Sequence, residues 1–205
     1  MTVTALVMAG GKGTRMGGNV EKPILQVKGK SMLEHVVDAI KKVQTIGRII
    51  VVVTANTPNT TVHARRLGIE TLATPGDGFE EDTRFAIRKL GLEDVLVIAA
   101  DLPLITPNII REAVERYHKS GKPALAVMVK IEEYERLGAK AQYVFEIGGR
   151  RLTAVGINLI NGRRIDEKEL DQEVFLVDSQ DMILNINNAQ ELELVRKGSH
   201  EQGSG

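Results

Sequence analysis

The residues best suited to chemistry form a run near the start of the chain, Ala9-Gly10-Gly11-Lys12-Gly13-Thr14-Arg15-Met16-Gly17-Gly18, with Lys22-Pro23 close behind. Glycines let successive backbone amides converge on phosphate oxygens, and Lys12, Arg15 and Lys22 bring fixed positive charge. From Ala9 to Lys30 five basic residues stand against one acid, Glu21, a local excess of +4 in a chain whose 27 Lys and Arg balance 27 Asp and Glu. The run reads as a polyphosphate cradle, the plainer alternative being a surface loop with solvated charges. It is not a P-loop, because Lys12 precedes Gly13 and Thr14 instead of following the last glycine. It is not a dinucleotide fingerprint either: Met16 stands where the third glycine belongs, and a hydride-transfer reading loses its main support. Further on, Asp101 in Ala100-Asp101-Leu102-Pro103 directly follows an apolar run. A carboxylate there, facing a phosphate loop from an adjacent strand, is placed to hold a magnesium ion; the plainer alternative is a turn or helix cap.

The elements that must position these residues are legible in the apolar pattern. Val3 to Met8 reads as a buried strand that stops at Gly10-Gly11, and Ile49 to Val53 and Val95 to Ala99 are apolar throughout, as in strands covered on both faces of a parallel sheet. Ser31 followed by Glu34 is a capping box, and Leu33, Val36, Val37, Ile40 and Val43 then recur at helical spacing, which predicts a helix from about Met32 to Val43. Ile69 to Leu72 is a weaker strand. Helices are expected from Asp77 or Gly78 to Gly91, and from Thr106-Pro107 through Tyr117. Ala124 to Val129 reads as a strand, and Gln142 to Ile147 pairs with Leu152 to Ile160 across Gly148-Gly149 as an antiparallel hairpin. The seven acids between Asp166 and Asp181, against Lys168 alone, read as a solvated loop, and Ala189 to Arg196 as a closing helix that Asn187 or Asn188 could cap. Alternating strands and helices imply right-handed crossovers and a mostly parallel sheet, with ligands outside the carboxyl ends of the strands. Function is therefore sought after Met8, Val53, Leu72 and Ala99.

Composition bounds the rest. The 205 residues suit one domain, expected over 1–197, with a flexible polar tail over 198–205. A formal charge of zero gives no global field for nucleic acid or anionic lipid, and the absence of Cys removes disulfides, thiolate zinc sites and Cys nucleophiles. With no stretch near the ~20 apolar residues of a membrane span, the chain reads as a cytoplasmic protein, monomeric or homodimeric. The histidines His35, His63, His118 and His200 are scattered and read as ordinary helix, loop or tail residues.

The glycine run with Lys22-Pro23, the Ala100-Asp101-Leu102-Pro103 segment and Asn185-Ile186-Asn187 together resemble the nucleotidyltransferases that join a nucleoside monophosphate to a phosphorylated acceptor. With Thr57-Pro58-Asn59-Thr60, Gly76 to Asp82 and Gly156-Ile157-Asn158, the chain is most similar to the archaeal guanylyltransferases that act on adenosylcobinamide phosphate. The molybdenum-cofactor guanylyltransferases come next, but their Gly-Pro-Leu-rich segment is missing near Pro75. The resemblance implies a three-layer α/β/α Rossmann-like fold, mostly parallel with an antiparallel hairpin. It implies that GTP is bound by Ala9, Gly10, Gly11, Lys12, Gly13, Thr14 and Arg15, with Lys22 on the α phosphate and Asp101 on magnesium. Thr54, Asn56 and Thr57 with Gly76, Asp77 and Gly78 would face guanine and ribose, and Asn158, Asn185 and Asn187 the acceptor or metal side. Arg15, Lys22 and Asp101 would carry catalysis. The rivals are a molybdopterin or sugar 1-phosphate acceptor and, from another class, a non-catalytic nucleotide-binding regulator.

Overall fold

The computed structural model describes residues 2–11, 13, 20–136, 141 and 143–177. β1 (Val3–Met8) leads, through a 3-10 turn at Lys22–Ile24 and the antiparallel ribbon of β2 (Gln26–Val27) and β3 (Lys30–Ser31), into α1 (Met32–Lys41). There follow β4 (Ile46–Val53), α2 (Pro58–Arg66), β5 (Glu70–Ala73), α3 (Phe79–Leu90), β6 (Asp94–Ala99) and α4 (Pro107–Ser120). The rest is β7 (Ala124–Lys130), α5 (Ile131–Arg136), β8 (Phe145–Ile147), β9 (Arg150–Asn161), a 3-10 turn at Gly162–Arg164, and β10 (Gln172–Leu176).

An eight-stranded sheet runs in the order β10-β7-β9-β6-β1-β4-β5, with β8 paired to β9 off that path. β1 is parallel to both β4 and β6, β4 to β5, and β7 to β10, while β9 is antiparallel to β6, β7 and β8. One buried cluster joins α1, α4, Ala64 of α2 and Tyr134 of α5 to one face. A second packs Ala86 and Ile87 of α3 on Leu6, Ile50, Val52, Val95 and Val97 of the other. The three-layer, mostly parallel architecture is therefore present. The chain steps outward from β1 to β4 and β5, then returns to β6 on the other side of β1, so the strand order reverses at β1 and leaves a crevice between the ends of β1 and β6.

Local signals account for most boundaries. Ser31 Oγ accepts from Glu34 N–H and Ser31 N–H donates to Glu34 Oε2, the reciprocal capping box of α1. Thr106 Oγ1 caps α4, and left-handed Gly91 and Gly121, at φ 60° and 66°, end α3 and α4. Three expectations need correction. α1 ends at Lys41, short of Val43, which is buried beyond the helix. The hairpin's first strand, β8, begins at Phe145, beyond Tyr143 and Val144, and its long strand, β9, is inserted between β6 and β7. Part of the acidic segment is strand: β10 pairs with β7 as the sheet's edge and buries Phe175, so its acids flank a strand and do not all belong to a loop. The expected helix over 189–196 and the tail over 198–205 lie outside the described residues.

α2 is capped from a distance. Thr57 precedes it without capping through its side chain, and Glu21 supplies the acceptor instead. Glu21 Oε1 accepts from the Asn59 backbone and side-chain nitrogens at 2.9 and 2.8 Å, and Oε2 from Thr60 N–H and Oγ1 at 2.5 and 2.7 Å. The carboxylate thus neutralises orphan donors at the positive end of the helix. Burial alone would push the Glu21 carboxyl up, but these donors together outweigh it and hold the group below the usual glutamate range. With a depressed folded-state pKa, its contribution is fully present above the unfolded value of about 4.3 and is lost as pH falls through the folded value. Glu21→Gln should lower the thermal midpoint at neutral pH, at a cost of about 1.5 to 3 kcal/mol. The gap to the parent protein, followed by circular dichroism, should shrink as the pH is taken below about 4.

Candidate active site

The loop after β1 extends the sheet ladder before it turns. Ala9 N–H donates to Val52 O at 2.8 Å, and Thr54 Oγ1 donates to Gly10 O at 2.8 Å. A Cβ at Gly10 would overlap the Thr54 methyl, so only glycine permits this approach. Gly11 is exposed with open space around it, and Gly13, at φ 62°, lies so close to Val20 O that a side chain would overlap that carbonyl. The loop therefore closes back on itself at Gly13 and Val20. Lys12, Thr14 and Arg15 lie outside the described residues.

Thr54, at the end of β4, is the hub of a polar wall. Its Oγ1 also accepts from Asn56 N–H at 3.2 Å, its N–H donates to Thr57 Oγ1 at 3.2 Å, and Thr57 N–H returns to Thr54 O at 3.1 Å. Gly76, left-handed at φ 87°, approaches the same residue from the β5 loop: a Cβ there would sit 3.5 Å from the Thr54 side chain and 3.6 Å from Asn56 Nδ2. Asp82 of α3, itself buried, accepts from Gly76 N–H at 2.9 Å and so fixes that loop. Gly10, Thr54, Asn56, Thr57 and Gly76, which lie on three separate loops, are thereby brought together. Asp77 and Gly78 are exposed just beyond them, at the entry to α3.

At the end of β6, Ala100 N–H donates to Met8 O at 3.1 Å, which sets Asp101 beside the root of the glycine loop. Lys22 Nζ lies 3.7 Å from Asp101 Oδ2, with the two side chains 15% and 20% exposed. Both are sheltered enough to interact well yet open to a ligand. Asp101 offers hard oxygen donors, and magnesium is commonly held by one or two carboxylates with substrate phosphates and water completing its shell, so this donor set fits that ion. Among the described residues there is no group of three or more His, Cys, Asp or Glu that could hold a metal ion.

The other candidates are placed elsewhere. Asn158 lies within the sheet, opposite Val97 on β6 and Ala126 on β7, in neither loop cluster. Asn185 and Asn187 lie outside the described residues, as does His200. The remaining histidines serve the scaffold: His35 Nε2 donates to Val27 O, His63 Nε2 is 2.9 Å from Ser31 Oγ, and His118 Nε2 is 3.6 Å from Asp94 at the amino end of β6. Two residues that organise the site, Glu21 and Asp82, were missed from the sequence. For Glu21 a signal existed, since it is the one acid in a stretch of five bases.

Comparison with known proteins identifies the family. The model of the MobA-like NTP transferase domain matches residues 5–154. An adenosylcobinamide-phosphate guanylyltransferase of Methanocaldococcus jannaschii is 32% identical over 200 residues, covering 93% of this chain and 94% of that protein. A probable molybdenum cofactor guanylyltransferase of Thermococcus kodakarensis is 29% identical over 124 residues, covering 58% and 55%. In fold, the solved structure of CMP:2-keto-3-deoxy-manno-octonic acid synthetase complexed with CTP superposes with a TM-score of 0.73 at 14% identity, over 98% of each chain. With its glycine loop, its Lys22–Asp101 pair and a family match over most of its length, the chain belongs to the MobA-like NTP transferase domain family and is a nucleotidyltransferase.

Proposed function

We propose that the protein transfers GMP from GTP to adenosylcobinamide phosphate, releasing pyrophosphate, with magnesium as cofactor. The observation that carries the reaction is the Lys22–Asp101 pair at the mouth of the crevice, 3.7 Å apart and partly open to solvent. It sets an ammonium and a metal-binding carboxylate beside one glycine loop, as in-line joining of two anions requires. Support for the acceptor comes from the near full-length likeness to the Methanocaldococcus protein; the likeness to the molybdenum-cofactor protein spans a little over half the chain.

In this reading Gly10, Gly11 and Gly13 amides, with Arg15 beside Lys12 and Thr14, hold the β and γ phosphates. Lys22 turns from Asp101 to the α phosphate, and the wall built on Thr54 and Gly76 faces guanine and ribose. Asp101 holds magnesium, which when bound supplies neutralising charge at the departing pyrophosphate. The bond from the α phosphorus to the oxygen that links it to the β phosphate breaks, releasing pyrophosphate, as that phosphorus is attacked by an acceptor phosphate oxygen. That oxygen is already largely anionic at neutral pH, the second pKa of a phosphate monoester being about 6, so no general base is required. The scaffold roles of His35, His63 and His118 are in keeping with such a step. Asn158, Asn185 and Asn187 are assigned to the acceptor side.

Pyrophosphate release should appear with GTP, magnesium and adenosylcobinamide phosphate, and not when molybdopterin or a sugar 1-phosphate replaces the acceptor. Asp101→Ala and Lys22→Ala should each lower turnover by about a hundredfold or more with the melting midpoint unchanged; near-normal rates in either would remove that residue from the chemistry. Chelation by EDTA should abolish turnover, and added magnesium should restore it. In a calorimetric titration GTP should bind more tightly than ATP or CTP, the reverse order overturning the base assignment.

A further inference from the structure

Glu21 immediately precedes Lys22 and is only 8% exposed, unusual burial for a glutamate in a loop of bases. Its two oxygens take up four donors from Asn59 and Thr60, which commits the carboxylate to α2 and leaves little capacity for a ligand. On its other side Lys22 is braced as well: Leu25 N–H donates to Lys22 O at 3.0 Å, and Met32 N–H to Leu25 O at 3.0 Å, tying the turn to α1. From α2 the bonding continues through Thr57 to Thr54 and back to Gly10 O. Gly10, the Thr54 wall and the Lys22 backbone are thus linked in one chain of bonds, with Glu21 as the joint between its two arms.

We infer that Glu21 is a positioning residue for the transfer: by clamping the first turn of α2 it fixes the backbone from which Lys22 reaches the α phosphate, relative to the Thr54–Thr57 segment that holds the nucleoside. This rests on the nucleotide reading above. A lysine side chain is long and has many rotamers, so its aim depends on where its backbone is held. Displacement of a catalytic group by about 1 Å can cost a hundredfold in rate.

A double-mutant cycle tests it. Glu21→Gln, Lys22→Ala and the double variant are compared with the unsubstituted protein at a temperature below every melting midpoint, by calorimetric affinity for GTP with magnesium and by kcat from pyrophosphate release. Glu21→Gln should weaken GTP binding about tenfold and lower kcat ten- to a hundredfold when Lys22 is present, and should add nothing to either loss once Lys22 is alanine. Equal losses in both backgrounds mean a purely structural role and overturn the inference, as does no loss in either. Should Glu21→Gln melt too low, Thr60→Val, which removes one donor while keeping the buried volume, is read by the same cycle. GTP binding without turnover would remove only the acceptor assignment and leave the cycle to be decided on affinities. No GTP binding by the unsubstituted protein would overturn the nucleotide reading and this inference together.

Discussion

The whole arrangement hangs on β1 being hydrogen-bonded on both sides. Its parallel pairing with β4 and with β6 puts Met8 level with Val52 and with Ala99, and the bonds of Ala9 to Val52 and of Ala100 to Met8 carry the ladders one step past the strand ends. Three loops must therefore leave the sheet at one edge and in one direction. A slip of one residue in either pairing would send each side chain to the opposite face, into a core packed around a different residue, and would shift the glycine loop relative to Asp101. Because all three strands are buried on both faces, with Leu6, Val51 and Val97 fully enclosed, the cost of a slip is large and the register is correspondingly secure.

Past that edge, polar groups do the placing. Thr54 and Thr57 are buried and hydrogen-bonded, Thr54 to Gly10 on the glycine loop and to Asn56 and Thr57 on its own, and Thr57 to Thr54 and Thr61. Buried polar groups left unpaired are expensive, so this network resists local rearrangement and specifies one loop conformation. Glu21 and Asp82 act similarly on the Lys22 turn and on Gly76, two carboxylates employed as internal acceptors, while Asp101 lies beside Lys22.

Much of this was readable in advance, and the reasons differ by element. β1, β6, β7 and the Ile49 to Val53 part of β4 announce themselves as apolar runs because both faces are covered, and α1 and α4 through the caps Ser31 and Thr106. α2 escaped notice because it buries only Thr60 and Ala64, so it has no apolar stripe, and because its cap lies 38 and 39 positions earlier in the chain. β10 was hidden by its charge: as an edge strand it buries Phe175 while Gln172 is exposed, and acids crowd its flanks. At the site, the glycine loop and Asp101 were legible because their chemistry is local, whereas the union of Gly10, Thr54 and Gly76 is a product of topology that spacing alone does not encode. The glutamate beside Lys22 was counted as a charge and its partners, on another helix, were invisible to any local pattern.

The insertion of β9 between β6 and β7 bears on how the molecule is made. Among the described residues β6 and β7 are joined only through β9, so the sheet consists of two blocks, β5-β4-β1-β6 and β7-β10, held together by a strand that comes late in the chain. During synthesis from the amino terminus, the loops after β1, β4, β5 and β6 are already encoded once Asp101 has emerged, yet the open edge of β6 stays unsealed until Arg150–Asn161 arrives. Until then that edge is a template for foreign strands, and the interval between the two events is when a nascent chain is most exposed to aggregation or in need of a chaperone.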